Sequence, residues 1–471
     1  MTARLTLINR DYTRLWVGQA VSSIGDAVFS TTLVLWVATV LTKDKSWAPM
    51  AVSGVLLATG TAVLFVGPLA GVFVDRWDKL STMLRTEVVR GALVALLAAV
   101  SFLPVSALPV GVWLALVYVT VLTLNASSQF FTPARFAVIA DLVTGDADRA
   151  RAAGIAQATS QTAWIVGPPL AAPLLFTAGL QWALLFNALS YAVSYVAIRS
   201  INTIPAAAAP AEPGGTKGAT AHRSGLLREF AAGLRYFAHS RFLVTLVLIA
   251  VIGQFGIGTL STLNVFFATE NLHMSTHLFG YVGTAMGLGG IVGALCAGRV
   301  VQWFGARRTT WIGLLVSGAL LVLYSRQTGF LGGIVLLCAF TVPLTMLNTA
   351  MAPLLLAAAP AEYRGRVIAV FYPVTQLASM LAAVLSGWLA GSVLRDVAGY
   401  VLGLRFGAID TIFAVSGLIV VLSGVYAWAA LPDRSGAETD GGPGAAGREE
   451  AGTAQHTVPD DEGLPRSSAA S

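Results

Sequence analysis

The sequence predicts an all-α integral membrane protein, with twelve transmembrane helices in two pseudo-symmetric six-helix bundles. Three observations carry this prediction. First, 56% of the 471 residues are hydrophobic and only 11% are charged, against roughly 25% charged in a soluble domain. Second, apolar stretches of about 20 residues, long enough to cross a hydrocarbon core of ~30 Å, recur along most of the chain. Third, a segment of the second half repeats one in the first. A transmembrane barrel would instead show short alternating segments.

The apolar runs place spans at roughly 14–41, 49–74, 80–103, 109–132, 153–178, 181–202, 242–268, 277–304, 308–325, 329–357, 367–394 and 404–431. Between the sixth and seventh, PAAAAPAEPGGTKGATAHRSG (205–225) has the Pro/Gly/Ala composition of a linker. Residues 226–242 follow, with Leu226, Leu227, Phe230, Leu234 and Phe237 at helical spacing and Arg228 and Arg235 between them. That pattern predicts an amphipathic helix on the membrane surface. After Leu431 the chain is polar, Gly-rich and acidic, as in a disordered tail. The expected divisions are a bundle at 1–203, a cytoplasmic linker at 204–241, a bundle at 242–431 and a cytoplasmic tail at 432–471.

Lysine and arginine orient the spans. With the N-terminus inside, all of the 29 basic residues except Lys43, Lys45, Arg326, Arg395 and Arg405 fall on the cytoplasmic side or in the termini and linker. An even span count then puts both termini in the cytoplasm. Arg4, Arg10, Asp11 and Arg14 precede the first span with no small-residue cleavage site, so that span is expected to be a mature helix of a multi-pass cell-membrane protein. The net charge of +6 is scattered singly through short loops and gives no nucleic-acid signature. Cys296 and Cys338 lie in apolar runs without a Cys or His neighbour, so no disulfide, metal or cofactor is expected.

A shift of 215 positions lays RARAAGIAQATSQTAWIVGPPLAAPLL (149–175) over RGRVIAVFYPVTQLASMLAAVLSGWLA (364–390). Arg149 meets Arg364, Arg151 meets Arg366, Gln161 meets Gln376, Ala163 meets Ala378 and Leu170 meets Leu385. The fifth span thus corresponds to the eleventh, as in transporters built from duplicated halves around a midplane site.

One acid interrupts the first span. Asp26 lies 12 residues beyond Arg14, roughly 18 Å into the membrane. Gln19, Ser22 and Ser30 share its helix face. A carboxylate there should face a water-filled cavity, and desolvation favours its protonated form. Three roles fit: a proton carrier driving transport, a structural acid holding helix contacts, or an attractor for a cationic solute. Among other acids, Glu87 is one turn from Arg90, near the inner surface, and is expected to form an i,i+3 ion pair. Glu270 and Asp410 fall near the outer ends of their spans.

Polar stripes mark the expected substrate cavity: Gln19 on the first span, Asn125, Gln129 and Thr132 on the fourth, and Gln157, Gln161 and Trp164 on the fifth. Gln254, Ser261 and Asn264 mark the seventh, Asn348 the tenth, and Tyr372, Gln376 and Ser379 the eleventh. Each also fits helix-to-helix hydrogen bonding. Amide and aromatic lining with few charges suits a bulky amphipathic small molecule. The sequence has no Walker-type glycine loop, metal-spaced His pair or activated nucleophile, so no enzymatic activity is expected.

Three motifs resemble a known family. GVFVDRWDKL (71–80) resembles the G-x-x-x-D-R-x-[GD]-[RK] signature between spans two and three of the major facilitator superfamily, with Gly71, Asp75, Arg76, Asp78 and Lys79 in place. Leu80 and Ser81 depart from the further basic residues often found there. The resemblance implies a cytoplasmic latch: Asp75 faces the start of span eleven, and Arg76 pairs with an acid near the end of span four, for which Asp141 is the candidate. On its own chemistry the loop also reads as a solvated turn. On span five, Gly154, Ala163, Gly167, Pro168, Ala171 and Ala172 resemble the antiporter signature G-x8-G-x3-G-P-x2-G-G, with alanine at three glycine places. Ordinary small-residue packing also accounts for it. RDYTRLWVGQAVSSIGDAVF (10–29), FFTPARFAVIADLV (130–143) and PAEYRGRVIAVF (360–371) look like the macrolide-efflux and enterobactin-exporter branch. Together these motifs imply a monomeric proton antiporter that exports small amphipathic molecules (drug-, antibiotic- or siderophore-like) by alternating access. The alternatives are an uptake symporter or facilitator, and a membrane sensor that has lost transport.

Overall fold

The computed structural model describes residues 7–74, 76–201, 240–357, 364–394, 399–401 and 404–431. They form twelve membrane-length helices. The first half contains α1 (Arg10–Leu41), α2 (48–74), α3 (Lys79–Val100), α4 (Val110–Leu142), α5 (146–178) and α6 (Leu180–Arg199). The second contains α7 (Arg241–Glu270), α8 (280–304), α9 (306–325), α10 (Phe330–Ala357), α11 (364–393) and α12 (Ala408–Ala430). The expected linker helix and tail fall outside the described residues, as does Asp75.

Helix starts follow local chemistry. Asn9 caps α1 by accepting from the Tyr12 N–H at 2.7 Å, and Asp78 caps α3 by accepting from the Ser81 N–H at 2.8 Å. Between α8 and α9 the chain turns at Gly305, whose φ of 78° suits glycine. Nine helical stretches among the described residues are long and apolar enough to cross a membrane by composition alone. The rest follow from charge and connection: α3 carries Arg85, Glu87 and Arg90, α5 carries Asp146, Asp148, Arg149 and Arg151, and α8 with α9 reads as one stretch.

Several span limits differ from the sequence reading: α5, for one, starts at 146 rather than 153. α4 runs ten residues past the expected end to Leu142, because Phe131, Ala134 and Val138 continue its buried face. The twelfth helix starts later than expected, because β1 (Gly399–Val401) and β2 (Leu404–Phe406) form an antiparallel pair with Tyr400 opposite Arg405. The internal repeat extends to backbone detail. α5 ends in a π-helical turn at Leu174–Ala178 and α11 in one at Leu389–Val393, again 215 positions apart.

The halves meet through α5 against α8 and α2 against α11. Contact is close at the end that carries the α1–α2 connection. There Thr284 Oγ1 donates to the Ile165 carbonyl at 3.0 Å, and a Cβ added to Gly280 would lie 2.4 Å from the Pro168 carbonyl oxygen. An apolar cluster holding Phe29, Trp36, Trp113, Phe267, Tyr324 and Phe413 joins both halves on this side. Toward the opposite, basic end, a second cluster around Tyr12, Leu15, Met83, Phe131 and Val138 belongs to the first half alone. Gly71, Gly154 and Gly298 have nothing within 4 Å of an added Cβ at that level.

Candidate functional site

The site is built on the first half, where α1 crosses α6 closely. A Cβ on Gly25 would lie 2.2 Å from Ser190 Oγ and 2.5 Å from Asn187 Oδ1. Only glycine allows that approach, and it brings Asp26 beside α6 and α3. Arg90 Nη2 donates to Asp26 Oδ2 at 2.9 Å, and the Tyr191 hydroxyl donates to Asp26 Oδ1. The Arg90 guanidinium lies over the Tyr191 ring, 4.4 Å from its centroid, and 5.6 Å from that of Phe131.

A second carboxylate shares the same cation. Glu87 Oε2 is 3.8 Å from Arg90 Nη1, one helical turn away. The expected i,i+3 contact is therefore present, but the short bond of Arg90 goes across to Asp26. Glu87 Oε1 accepts from Ser194 Oγ at 2.7 Å, Ser194 Oγ accepts from Gln19 Nε2 at 3.1 Å, and Gln19 Oε1 accepts from Arg135 Nη1 at 3.2 Å. One polar chain thus runs through α1, α3, α4 and α6. Side-chain exposure is 7% for Arg90, 0% for Glu87 and 40% for Asp26. The cation and one acid are enclosed, whereas the other acid reaches open space.

Chemically, one permanent cation sits between two carboxylates away from bulk water. It neutralises one of them fully. A proton on the other removes the remaining negative charge, and transfer of the Arg90 bond from Asp26 to Glu87 redistributes it.

Gln19 is thus a member of the network. Asn125 Nδ2 donates within α4 to the Val121 carbonyl at 2.8 Å, and Gln129 Nε2 to the Asn125 carbonyl at 3.4 Å. Gln161 lies beside Gly290, with Nε2 2.9 Å from an added Cβ, whereas Gln157, Trp164, Asn348 and Tyr372 are exposed. Gln254 and Gln376 are half-buried. Asn264 is enclosed and accepts from the Tyr324 hydroxyl at 2.6 Å, which ties α7 to α9.

On α5, an added Cβ on Gly167 would lie 2.5 Å from Ala27 Cβ, next to Asp26 in sequence, and Pro168 packs under Gly280 and Gly283 of α8. Gly154 touches nothing at its Cβ position. In the α2–α3 connection, Trp77 stacks on Phe130 of α4 at 5.8 Å. Arg76, Asp78 and Asp141 are exposed and Lys79 is half-buried; among the described residues no ion pair joins Arg76 to Asp141. Asp78 is outside the apolar spans. Hydrogen bonds from the Ser81 hydroxyl and N–H hold its carboxyl below the usual carboxylate range.

Sequence reasoning missed Tyr191, Ser194 and Arg135, and it assigned Arg90 only to Glu87. Arg135 carried a signal: it is a charge seven residues inside the end of an apolar helix. Tyr191 and Ser194 carried none, because their role depends on which face of α6 meets α1.

A duplicated twelve-helix membrane fold with an ionisable network inside one bundle is the architecture of a secondary transporter. The sequence profile of the Major Facilitator Superfamily matches residues 15–269 and 246–458, and the chain belongs to that superfamily. Among relatives, it is 31% identical over 181 residues to BacE of Bacillus subtilis, which is named as a bacilysin exporter; the match covers 38% of this chain. It is 27% identical over 160 residues to macrolide efflux protein A of Streptococcus pyogenes, covering 34% of this chain. The chain spans 41% and 36% of the length of those two relatives. It is also 23% identical over 419 residues to the MFS-type transporter YfiS of Bacillus subtilis, covering 87% of this chain and 92% of YfiS. Solved structures share the fold: the nucleoside transporter NupG aligns at a TM-score of 0.67 and 13% identity, covering 90% of this chain and all of that one. A bacterial homologue of the iron transporter ferroportin, solved inward-facing, aligns at a TM-score of 0.68 and 14% identity, over 90% of this chain and 99% of that one.

Proposed function

We propose that this protein exports small amphipathic molecules across the cytoplasmic membrane by proton antiport, as a monomer with both termini in the cytoplasm. The observation that carries the reading is the shared cation: Arg90 bonded to Asp26, with Glu87 as a second acceptor one turn away. Asp26 carries the proton in this scheme. Ionised, it holds Arg90 and ties α1 to α3. Protonated, it releases Arg90 toward Glu87 and loosens that tie. Its partial exposure lets it exchange protons, whereas Glu87 is shut in.

In this scheme access alternates between two gates. The α5–α8 contact at Pro168, Gly280 and Gly283 is one gate, closed here. The other gate is the basic end, with Gly71, Asp75, Arg76, Asp78, Lys79 and Asp141 as its latch and Gly154 on α5 facing it. In this scheme the basic end faces the cytoplasm, by the distribution of Lys and Arg. The solute occupies the space between the halves lined by Asn125, Gln129, Gln157, Gln161, Trp164, Gln254, Asn348, Tyr372 and Gln376. The efflux names of the two partial relatives favour export over uptake.

The test is uptake of ethidium into inverted vesicles from cells expressing the protein, energised to an acidic interior. We expect uptake that a protonophore abolishes and that vesicles without the protein lack. Uptake unaffected by the protonophore would reject proton coupling. A folded protein that moves neither ethidium nor a fluorescent macrolide would reject this substrate class.

A further inference from the structure

Arg135 has no role in the scheme above beyond its bond to Gln19. Its position is unusual for a cation. It lies seven residues from the Leu142 end of α4, about 10 Å from that end. Its guanidinium does not reach back to the interface, as a snorkelling arginine would. It turns to Gln19 on α1 instead, with Nη1 donating at 3.2 Å. Among the described residues no carboxylate lies within ion-pair distance of it. Its Nε is buried with no hydrogen-bond partner among those residues. Arg135 is half-buried, with the Phe136 ring 5.4 Å from its guanidinium carbon, and the described residues supply it no counter-charge.

A cavity opens in front of this side chain, between α1, α4 and α5. Among the described residues Arg135 is the one charged side chain lining it. Leu15, Trp16 and Ile139 supply an apolar wall. Three neighbouring donors are already engaged: the Tyr12 hydroxyl donates to the Ala152 carbonyl at 3.2 Å, Trp16 Nε1 to Thr159 Oγ1 at 2.8 Å, and Thr159 Oγ1 to the Ile155 carbonyl at 2.8 Å, while the Ser23 and Ser160 hydroxyls also line the cavity. With Nη1 on Gln19 and Nε enclosed, Nη2 remains to meet a ligand, and a guanidinium N–H donates strongly to a carboxylate oxygen.

We propose that this cavity is a subsite for a carboxylate group of the transported solute, with Arg135 as the recognition residue and the apolar wall holding the adjoining hydrocarbon. The proposal rests on the transport reading and adds to it a subsite that favours those amphipathic solutes that carry a carboxylate. It also gives Gln19 a task. Gln19 bonds both Arg135 and Ser194, and Ser194 bonds Glu87. A carboxylate that draws Arg135 away from Gln19 perturbs the chain that ends at Arg90 and Asp26.

The test uses the full-length protein in phosphatidylcholine nanodiscs, without a proton gradient, and two fluorescent probes: dansyl-glycine, an amphipathic carboxylate, and its neutral amide, dansyl-glycinamide. We expect the wild type to bind the carboxylate at least about 10-fold more tightly than the amide. In Arg135→Gln that preference should vanish while amide binding and the gel-filtration profile stay unchanged. Arg135→Lys should keep part of the preference, because it retains the charge and loses the fork. Wild-type protein without a preference for the carboxylate, including protein that binds neither probe, overturns the proposal; so does an Arg135→Gln variant that keeps the preference. If replacing part of the lipid by phosphatidylglycerol abolishes dansyl-glycine binding, the site belongs to a lipid headgroup and the assignment to solute falls. Binding is read without transport, so carboxylate recognition in a protein that moves nothing across vesicles rejects the exporter reading alone.

Discussion

Substituting Arg90 by glutamine removes the one cation that serves two acids. In the wild type Arg90 is 7% exposed, 2.9 Å from Asp26 and 3.8 Å from Glu87. Without it, Glu87 keeps the Ser194 hydroxyl and Asp26 keeps the Tyr191 hydroxyl. Breaking a buried pair by deleting one partner costs about 3–5 kcal/mol. Asp26 is 40% exposed and can recover water, which puts the loss near the lower limit, about 3 kcal/mol. The cation–π contact with Tyr191 adds roughly 1 kcal/mol. Asp26→Asn should cost less, because Arg90 retains Glu87. The double variant should lose about 1–3 kcal/mol less than the sum of the singles, as residues in one ionic network couple on that scale. The assay is reversible unfolding in mixed micelles titrated with dodecyl sulfate, followed by tryptophan fluorescence. Single-variant losses that add to within about 0.5 kcal/mol would refute the coupling and with it the network.

Further outcomes are expected from the same geometry. Gly25→Ala should cost about 1–3 kcal/mol by overpacking the α1–α6 crossing, whereas Gly154→Ala, with open space at its Cβ, should stay within about 0.5 kcal/mol; the same titration compares them. Asp78→Ala should remove the α3 cap and cost roughly 1 kcal/mol at neutral pH. The folded-state value of Asp78 is depressed, so the cap contribution is present above the ordinary value of 3.8 and is lost as pH falls through the folded value. The difference between wild type and Asp78→Ala should therefore shrink in unfolding measured at acidic pH. Gly283→Leu should hold α5 and α8 apart, since a Cβ there already meets the Pro168 side chain at 2.5 Å. In a background with Cys296 and Cys338 replaced by serine, a Thr284→Cys reporter should then react faster with a membrane-impermeant maleimide.

The fold was largely legible in the sequence because bilayer length and apolarity are local properties. Twelve spans and the fifth-to-eleventh repeat follow from composition and a shift of 215. The same shift relates the π-helical turns seen at 174–178 and 389–393. What escaped were features set by helix packing. The extension of α4 to Leu142 depends on a buried face continuing past a polar stretch. The second strand, Leu404–Phe406, takes residues that read as the start of a span. In the site, Asp26 stood out as a lone acid, but its bond to Arg90 crosses 64 positions and its bond to Tyr191 crosses 165. No periodicity within one helix encodes such pairings; they depend on Gly25 letting α6 close in. The polar stripes fared according to helix rotation: Gln19 joined the network, while Asn264 turned toward Tyr324.

The most direct measurement follows protons and solute together in proteoliposomes, with an internal pH dye and externally added ethidium, for wild type and Asp26→Asn. We expect the wild type to release protons as ethidium enters and Asp26→Asn to lose that proton flux while still equilibrating ethidium down its own gradient. Equal proton movement in the two proteins would contradict the central claim and leave Asp26 as a structural acid.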